Sequence, residues 1–342
     1  MPKCGSQVTL CDLPIRFDTY KGCSHMCKYC FVQKKADLND IDKGESPAVL
    51  RDFINGKRTR ETNWCDWNIP LHWGGMSDPF QPAERKHKIS LECLKVFKET
   101  QYPFVVSTKG KLICEGEYLE LIKDCNCVIQ ISLVCPEYDK IELGTPTFAE
   151  RLEMVRTLAK HKRVNVRIQP YMIETHESTM RSIKQMAEAG AYGIIVEGMK
   201  FARKKDGLVR VGGDWCYPLD ELRKRFDEMK ALAHELGMKF YSGENRLRSM
   251  GDHLCCCGVE GLEGFEENRF NLNNLLHGNQ EKPTESMNQK GTADVFCSLY
   301  QMAGISKEIK KVSFKDMMLS EFMNKPEYYM EMFGQTIPEG GA

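Results

Sequence analysis

The sequence predicts an α/β fold: a partial (β/α)6 barrel of the TIM type with a C-terminal cysteine-containing extension. Three observations predict it. Short apolar, β-branched runs recur along the first 240 residues, longer segments of helical period separate them, and both patterns stop near residue 245. Continuous apolar runs of this length are the mark of strands in a parallel sheet. Strand–helix alternation at this rhythm builds βα units. About six such units are too few for a closed eight-fold barrel.

The elements follow in order. "LPIRFD" (13–18) precedes the first cysteine cluster as a strand, and "IPLHWGG" (69–75), "FVVSTKG" (104–110), "CVIQISLV" (127–134), "VNVRIQPYM" (164–172), "YGIIVEGM" (192–199) and "MKFYSG" (238–243) supply the others. Helices are expected over 82–100, 147–161, 177–190 and 219–237, where apolar residues fall at i, i+3 and i+4. Gly237 stands where the last of these should stop. Residues 1–245 form the barrel domain in this reading, and 246–342 the extension. The stretch after 245 is rich in Gly, Asn and Glu and reads as loops and short helices, turning helical and Met-rich over 306–333.

Composition narrows the function. The 342 residues are 42% hydrophobic and 28% charged, with formal net charge zero, so the chain as a whole is not drawn to nucleic acid or anionic membrane. No apolar run approaches the ~20 residues of a membrane span. The N-terminus lacks the apolar core of a secretory signal, so no membrane association and a cytoplasmic location are expected. Sixteen cysteines then need a use other than a disulfide framework. Lone ones such as Cys93, at helical spacing, suit the core. Two clusters do not: Cys23/Cys27/Cys30 and Cys255/Cys256/Cys257.

Three cysteines at C-x3-C-x2-C spacing can carry three irons of a cubane cluster and leave the fourth open. On a loop after the first strand, that open iron would sit at the C-terminal mouth of the barrel, where such folds build active sites. The bland alternative is a zinc site completed by His25, Cys11 or Cys4. The spacing, with Tyr29 just before the last cysteine, resembles the radical S-adenosylmethionine (SAM) superfamily. The resemblance implies a [4Fe-4S] cluster on Cys23, Cys27 and Cys30, with SAM chelated to the open iron. It implies reductive cleavage of SAM to methionine and a 5′-deoxyadenosyl radical that abstracts a hydrogen atom. A flavodoxin- or ferredoxin-type reductant is implied as electron donor.

Further positions follow from that resemblance. Gly74 and Gly75 in "WGGMSDPF" (73–80) match a Gly-Gly-acidic motif whose backbone meets the SAM amino group. The acidic position is Met76 here, so Ser77 and Asp78 are expected to take over the polar contact. Ser107, Lys109, Ser132, Arg167 and Gln169 are expected to meet the ribose and carboxylate of SAM, and Glu197 with Gly198 the adenine, where Tyr29 can also stack. Arg167 as a solvated or ion-paired barrel residue is the plain alternative. "GGMSDPFQPAE", "STKG" (107–110), "ISLVCPEYDKIELGTPTFAERLEMVRTL" (131–158) and "VRIQPYM" (166–172) are similar to the subgroup that contains spore photoproduct lyase, over about residues 15–200. In that light Cys135 is a candidate catalytic thiol near the barrel mouth, and a nucleobase, nucleotide or DNA lesion a candidate substrate, for a lyase or other radical modification.

"GDHLCCCGVEG" (251–261) has three readings: ligands of an auxiliary iron–sulfur cluster with help from Cys216 or Cys297, a thiol hydrogen-atom donor, or a buried cysteine-rich turn. Extended chain would turn neighbouring cysteines apart, hence the expected outside partners. Basic residues gather in "MKFARKKDGLVR" (199–210) and "LRKRF" (222–226), near Phe201, Trp215 and Tyr217. Together they could hold nucleic-acid phosphates and stack bases, or form a solvated face, and "GDWCYP" (213–218) could form part of a lid. Two other functions stand beside the first: a radical SAM enzyme acting on a peptide or small metabolite, and a non-catalytic iron–sulfur or zinc protein.

Overall fold

Each apolar run becomes a strand whose alternate side chains meet opposite surroundings. The computed structural model describes residues 1–4, 11–34, 37–59, 62, 69–211 and 214–265; Cys297 and the stretch 306–333 lie outside them. Elements run in the order β1 (Lys3–Cys4), β2 (Ile15–Phe17), β3 (Tyr20–Lys21), β4 (Asp42–Lys43), α1 (Pro47–Ile54), β5 (Leu71–Trp73), α2 (Glu84–His87) and α3 (Ile89–Thr100). Then come β6 (Phe104–Thr108), α4 (Gly116–Lys123), β7 (Cys127–Ser132), α5 (Phe148–Leu158), β8 (Val164–Tyr171), α6 (His176–Glu188) and β9 (Gly193–Gly198). The described part ends with β10 (Val209–Val211), β11 (Asp214–Cys216), α7 (Leu219–Glu235) and β12 (Lys239–Ser242).

The main sheet has the order β1-β2-β5-β6-β7-β8-β9-β12. All neighbours are parallel except β1, which runs antiparallel to β2. Six βα units closed by a seventh parallel strand make the partial barrel. Its outer side is apolar: Ile15, Phe17, Leu71, Trp73, Phe104, Val106, Ile129, Ile131, Val166, Ile168, Ile194, Val196 and Phe240 are buried with helix residues in one core. Trp73 is its anchor. Its ring lies 5.5–5.9 Å from those of Phe17, Phe80, Phe97 and Phe104. Aromatic rings each bury about 150–250 Å² and gain from tilted contacts. That packing fixes the backbone at the end of β5, one residue before Gly74.

The expected helix over 82–100 is two helices. Lys88 between them adopts the left-handed region, φ +53°. The cause is Glu84, whose buried carboxylate accepts from the Ser90 and Leu91 amides at 2.9 Å and caps α3. An acidic cap at a helix N-terminus is favourable, and here it outweighs helical continuity. Other helix ends are conventional. Ser46 caps α1, with Pro47 in its first turn, and Thr147 with Glu150 forms a capping box on α5. Gly237, φ +76°, follows α7 as expected.

The free edge of β12 is covered. The Asp252 amide donates to the Phe240 carbonyl at 2.8 Å, and the Phe240 amide to the Asp252 carboxylate at 2.9 Å. From there the chain passes below the sheet. Arg163, ahead of β8, donates to the carbonyls of Gly258 and Glu260 at 3.1 and 2.9 Å, and Asn126, ahead of β7, to that of Glu263 at 3.3 Å. Residues 255–259 thus pack against Leu13, Val105 and Val128 as a floor at the N-terminal ends of the strands.

Candidate metal and cofactor site at the barrel mouth

The loop after β2 carries Cys23, Cys27 and Cys30 at the C-terminal ends of the strands. Its path is fixed from three sides. The β3–β4 pair closes its base. Gln81 receives the Ser24 amide at 3.0 Å and donates to the Gly22 carbonyl at 3.2 Å. The Lys28 amide donates to the Ile141 carbonyl at 2.9 Å, and the Gly144 amide to the His25 carbonyl at 3.0 Å. A Cβ on Gly144 would stand 2.3 Å from the Ser24 carbonyl oxygen, so only glycine admits this approach. Cys27 is buried and its neighbours half-buried. Burial pushes the Cys23 thiol up to about 12 and the Cys27 thiol to about 11, with Lys109 pulling the latter down.

Tyr29 is anchored rather than free. Its hydroxyl donates to Glu142, and its ring faces Tyr138 at 6.2 Å and the Lys109 ammonium at 5.8 Å. Glu142 in turn meets the Arg151 guanidinium at 2.5 Å and the Lys109 ammonium at 3.8 Å. Arg151 also donates to the Ser132 carbonyl at 2.9 Å. This buried group couples the cysteine loop to the ends of β6 and β7. Ser77 and Asp78, expected to face SAM, are committed to the scaffold. The Ser77 hydroxyl donates to the Tyr20 carbonyl at 2.7 Å. Asp78 accepts from the Thr108 hydroxyl and the Lys109 amide, each at 2.6 Å, and lies 3.1 Å from the His25 ring. Burial pushes Asp78 up, but His25 and these hydrogen bonds hold it at about 2.

Gly74 stands at the C-terminal end of β5. It has φ +89°, and a Cβ there would stand 2.4 Å from the Ser107 carbonyl oxygen. Gly75 lies over the Arg16 side chain. Below them a polar column runs across the inner faces of the strands. His72 Nε2 and the Ser107 hydroxyl are 2.9 Å apart, and Ser107 donates to Gln130 Oε1 at 2.9 Å. Arg167 donates to the same Gln130 oxygen at 2.7 Å and to Gln169, and Gln169 donates to Glu197. Glu197 pairs with Lys200 at 2.5 Å. The sheet therefore gathers Ser107, Arg167, Gln169 and Glu197 into one chain of contacts, and Arg167 is half-buried on the inner face. His72, Gln130 and Arg16 were missed. Each is a lone polar residue at the inward phase of an apolar strand, and that was the available signal. Burial, then Arg167 and Arg16, pushes the His72 imidazole down to about 3, so it is neutral near pH 7.

Other expectations are corrected. Cys135 is fully buried on the helix side, its thiol engaged with Glu137, Thr175 and Thr179, and burial pushes it up to about 11. It does not open to the barrel mouth. His25 and Cys11 do not complete a zinc cage: His25 spans Gly144 and Asp78, and Cys11 belongs to the floor. Cys216 sits among Arg246, Glu244 and Lys200, apart from the triple cysteine. The side chain of Cys4 lies outside the described residues. A turn, not extended chain, carries Cys255–Cys257, and it brings their thiols together. The basic stretch folds as the hairpin β10–β11, with Lys204 and Arg210 over Trp215 and Lys205 over Phe201. No described helix is long and apolar enough to cross a membrane.

A seven-stranded parallel partial barrel with a polar lumen and a cysteine loop at its mouth invites comparison with solved structures. Spore photoproduct lyase, with bound AdoMet and dinucleoside spore photoproduct, superposes with TM-score 0.53 at 16% identity, over 67% of this chain and 76% of that one. The chain shares the partial-barrel fold of that enzyme. SuiB of Streptococcus suis, bound to S-adenosylmethionine, shares it with TM-score 0.50 at 12% identity, over 70% of this chain and 50% of that one. No family model matches the chain. Among curated proteins, uncharacterised proteins of Mycobacterium tuberculosis and Mycobacterium bovis are 26% identical over an alignment of 207 residues that covers 55% of this chain. The chain spans 59% of the length of these relatives.

Proposed function

We propose that the chain is a radical SAM enzyme. One observation carries the reading: three thiols on one braced loop stand at the mouth of a radical SAM barrel, above a polar lumen. The residue types suit the groups this chemistry needs. Cys23, Cys27 and Cys30 supply three thiolates for a [4Fe-4S] cluster, and an open iron is left for SAM. Gly74, bare of any Cβ, lets the end of β5 close against the Ser107 carbonyl and Pro79, which sets the backbone that would meet SAM. When bound, the reduced cluster supplies the electron that cleaves SAM to methionine and a 5′-deoxyadenosyl radical able to take a hydrogen atom from substrate.

The chain's own residues bind and orient. Arg167 is the lumen cation for the SAM carboxylate. Ser107 and Gln169 offer polar contacts to the ribose, and Glu197 to the adenine edge. Neutral His72 adds no charge against Arg16 and Arg167. Tyr29, through Glu142, holds the cysteine loop down and helps keep water from the cluster. A flavodoxin- or ferredoxin-type protein is the electron donor in this account.

For substrate, a nucleobase, nucleotide or DNA lesion is favoured. Two things support it: the basic–aromatic hairpin after β9, and likeness to a lyase solved with a dinucleoside photoproduct. The test is anaerobic. Reconstituted, dithionite-reduced protein should release 5′-deoxyadenosine from SAM, and a nucleic-acid substrate should raise the rate. Release stimulated by peptides instead would move the substrate assignment. No release under any of these conditions, from protein with an intact cluster, would argue for a non-catalytic iron–sulfur protein.

A further inference from the structure

The β1 edge of the sheet carries charge that the chemistry proposed at the mouth does not use. On β2, Ile15 and Phe17 are buried in the outer core, so Arg16 between them faces the lumen. On β5, Leu71 and Trp73 do the same and turn His72 inward. Register puts Lys3 of β1 opposite Arg16, and Arg16 opposite His72. Opposite residues of paired strands share a face. Lys3, Arg16 and His72 therefore form one row across β1, β2 and β5.

Arg16 stands at the centre of that row without a partner. It is half-buried, its Nε is buried with no hydrogen bond, and no carboxylate among the described residues pairs with it. Its stem is held in place, because a Cβ on Gly75 would stand 3.1 Å from Arg16 Cδ and 3.3 Å from its Cγ. Asp18, two residues on, falls short as a counter-charge. One carboxylate oxygen accepts from the Met76 and Ser77 amides at 2.8 and 3.3 Å, and burial raises its pKa despite the pull of Arg16. Lys3 is exposed and likewise has no ion pair among the described residues. Like charges directly opposite on paired strands are destabilising. An anion held between Lys3 and Arg16 would remove that repulsion.

SAM does not balance this charge in the account above. Its carboxylate goes to Arg167 on β8, with β5, β6 and β7 between that strand and β2. SAM also brings a sulfonium, so the lumen is left no less positive. Glu197, the acid of the lumen column, is already paired with Lys200. The low His72 value, set by burial and then by Arg167 and Arg16, agrees with unbalanced positive charge here. Building on the reading of this lumen as a SAM chamber, we infer that Arg16 and Lys3 form an oxyanion subsite that holds a phosphate or carboxylate of the substrate. A guanidinium fork takes two oxygens of either group, and an ammonium adds a point charge. The subsite lies under Gly75, next to the backbone proposed to meet SAM.

Arginine labelling tests this without SAM cleavage. The full chain, reconstituted with its mouth cluster, is treated with phenylglyoxal. The adduct at Arg16 is followed by mass spectrometry, with exposed Arg203 as the control. Inorganic phosphate, acetate and SAM are each added at matched ionic strength. Phosphate or acetate at several times its dissociation constant should slow labelling of Arg16 about fivefold and leave Arg203 unchanged. Stronger protection by phosphate assigns a phosphorylated substrate, and stronger protection by acetate a carboxylate. Lys3→Ala, at an exposed position, should raise the anion concentration needed. The inference is overturned if Arg16 is unreactive with no anion present, or reacts at one rate whatever is added. It is also overturned if SAM alone protects Arg16 as fully as phosphate, which makes the carboxylate of SAM the ligand. Protection by phosphate in protein that never cleaves SAM supports the subsite and counts only against the reading of the mouth.

Discussion

The Tyr29 hydroxyl donates to Glu142, 113 residues later in the chain. That contact joins the cysteine loop to the turn after β7, and Glu142 is itself held by Arg151 with both side chains about 1% exposed. Removing one member of a buried ion pair costs about 3–5 kcal/mol, because the other charge is left uncompensated. Glu142→Gln should therefore lower the urea midpoint markedly and also reduce iron retained by the mouth loop. Tyr29→Phe should leave stability nearly intact and lower iron retention alone.

Gly74 carries two constraints at once, a positive φ and a Cβ position 2.4 Å from the Ser107 carbonyl. A non-glycine residue in such a conformation costs about 1–3 kcal/mol before any overlap is counted. Gly74→Ala should lower the melting temperature and weaken SAM binding, measured by calorimetry on the reconstituted protein. Gly56→Ala is the control, since it too has a positive φ but nothing within 4 Å of its Cβ. It should lower the melting temperature modestly and leave SAM affinity alone.

Arg167 is the lumen cation bound to Gln130 and Gln169. A hydrogen bond to a charged group is worth about 1.5–3 kcal/mol, so Arg167→Met should weaken SAM binding roughly tenfold to a hundredfold. Iron content at the mouth should not change. An equal loss of iron and SAM would instead mark Arg167 as a scaffold residue.

His72 predicts an acid limb in stability. Its folded value, pushed down to about 3 by burial and by Arg167 and Arg16, lies below the ordinary imidazole value of about 6.5. The unfolded chain then binds the proton more readily, so stability falls as pH drops from about 6.5 towards 3. Urea titrations across that window should show a shallower loss in His72→Gln than in the parent chain.

Much of this was legible in the sequence, and the exceptions have causes. The parallel strands could be read because their outer residues, from Ile15 to Phe240, are apolar and β-branched or aromatic. The mouth loop could be read because three cysteines at C-x3-C-x2-C spacing stand out in any chain. The break at Lys88 could not, since it depends on Glu84 folding back onto α3. Cys135 looked close to the mouth in sequence, but the chain after Ser132 turns its thiol under α6. Cys11 gave no local sign of lying near Cys256 and Cys257, because only barrel closure brings these segments near one another. Gln130 and His72 were readable as lone polar residues on the inner phase.

The central claim is that the mouth loop presents an open iron to SAM. The most direct measurement is electron paramagnetic resonance of the reconstituted, dithionite-reduced protein with and without SAM. The account predicts a cubane-type signal from the mouth loop that shifts when SAM is added and is lost in Cys27→Ala. A signal that SAM leaves unchanged, in protein whose mouth cluster is intact, would contradict it.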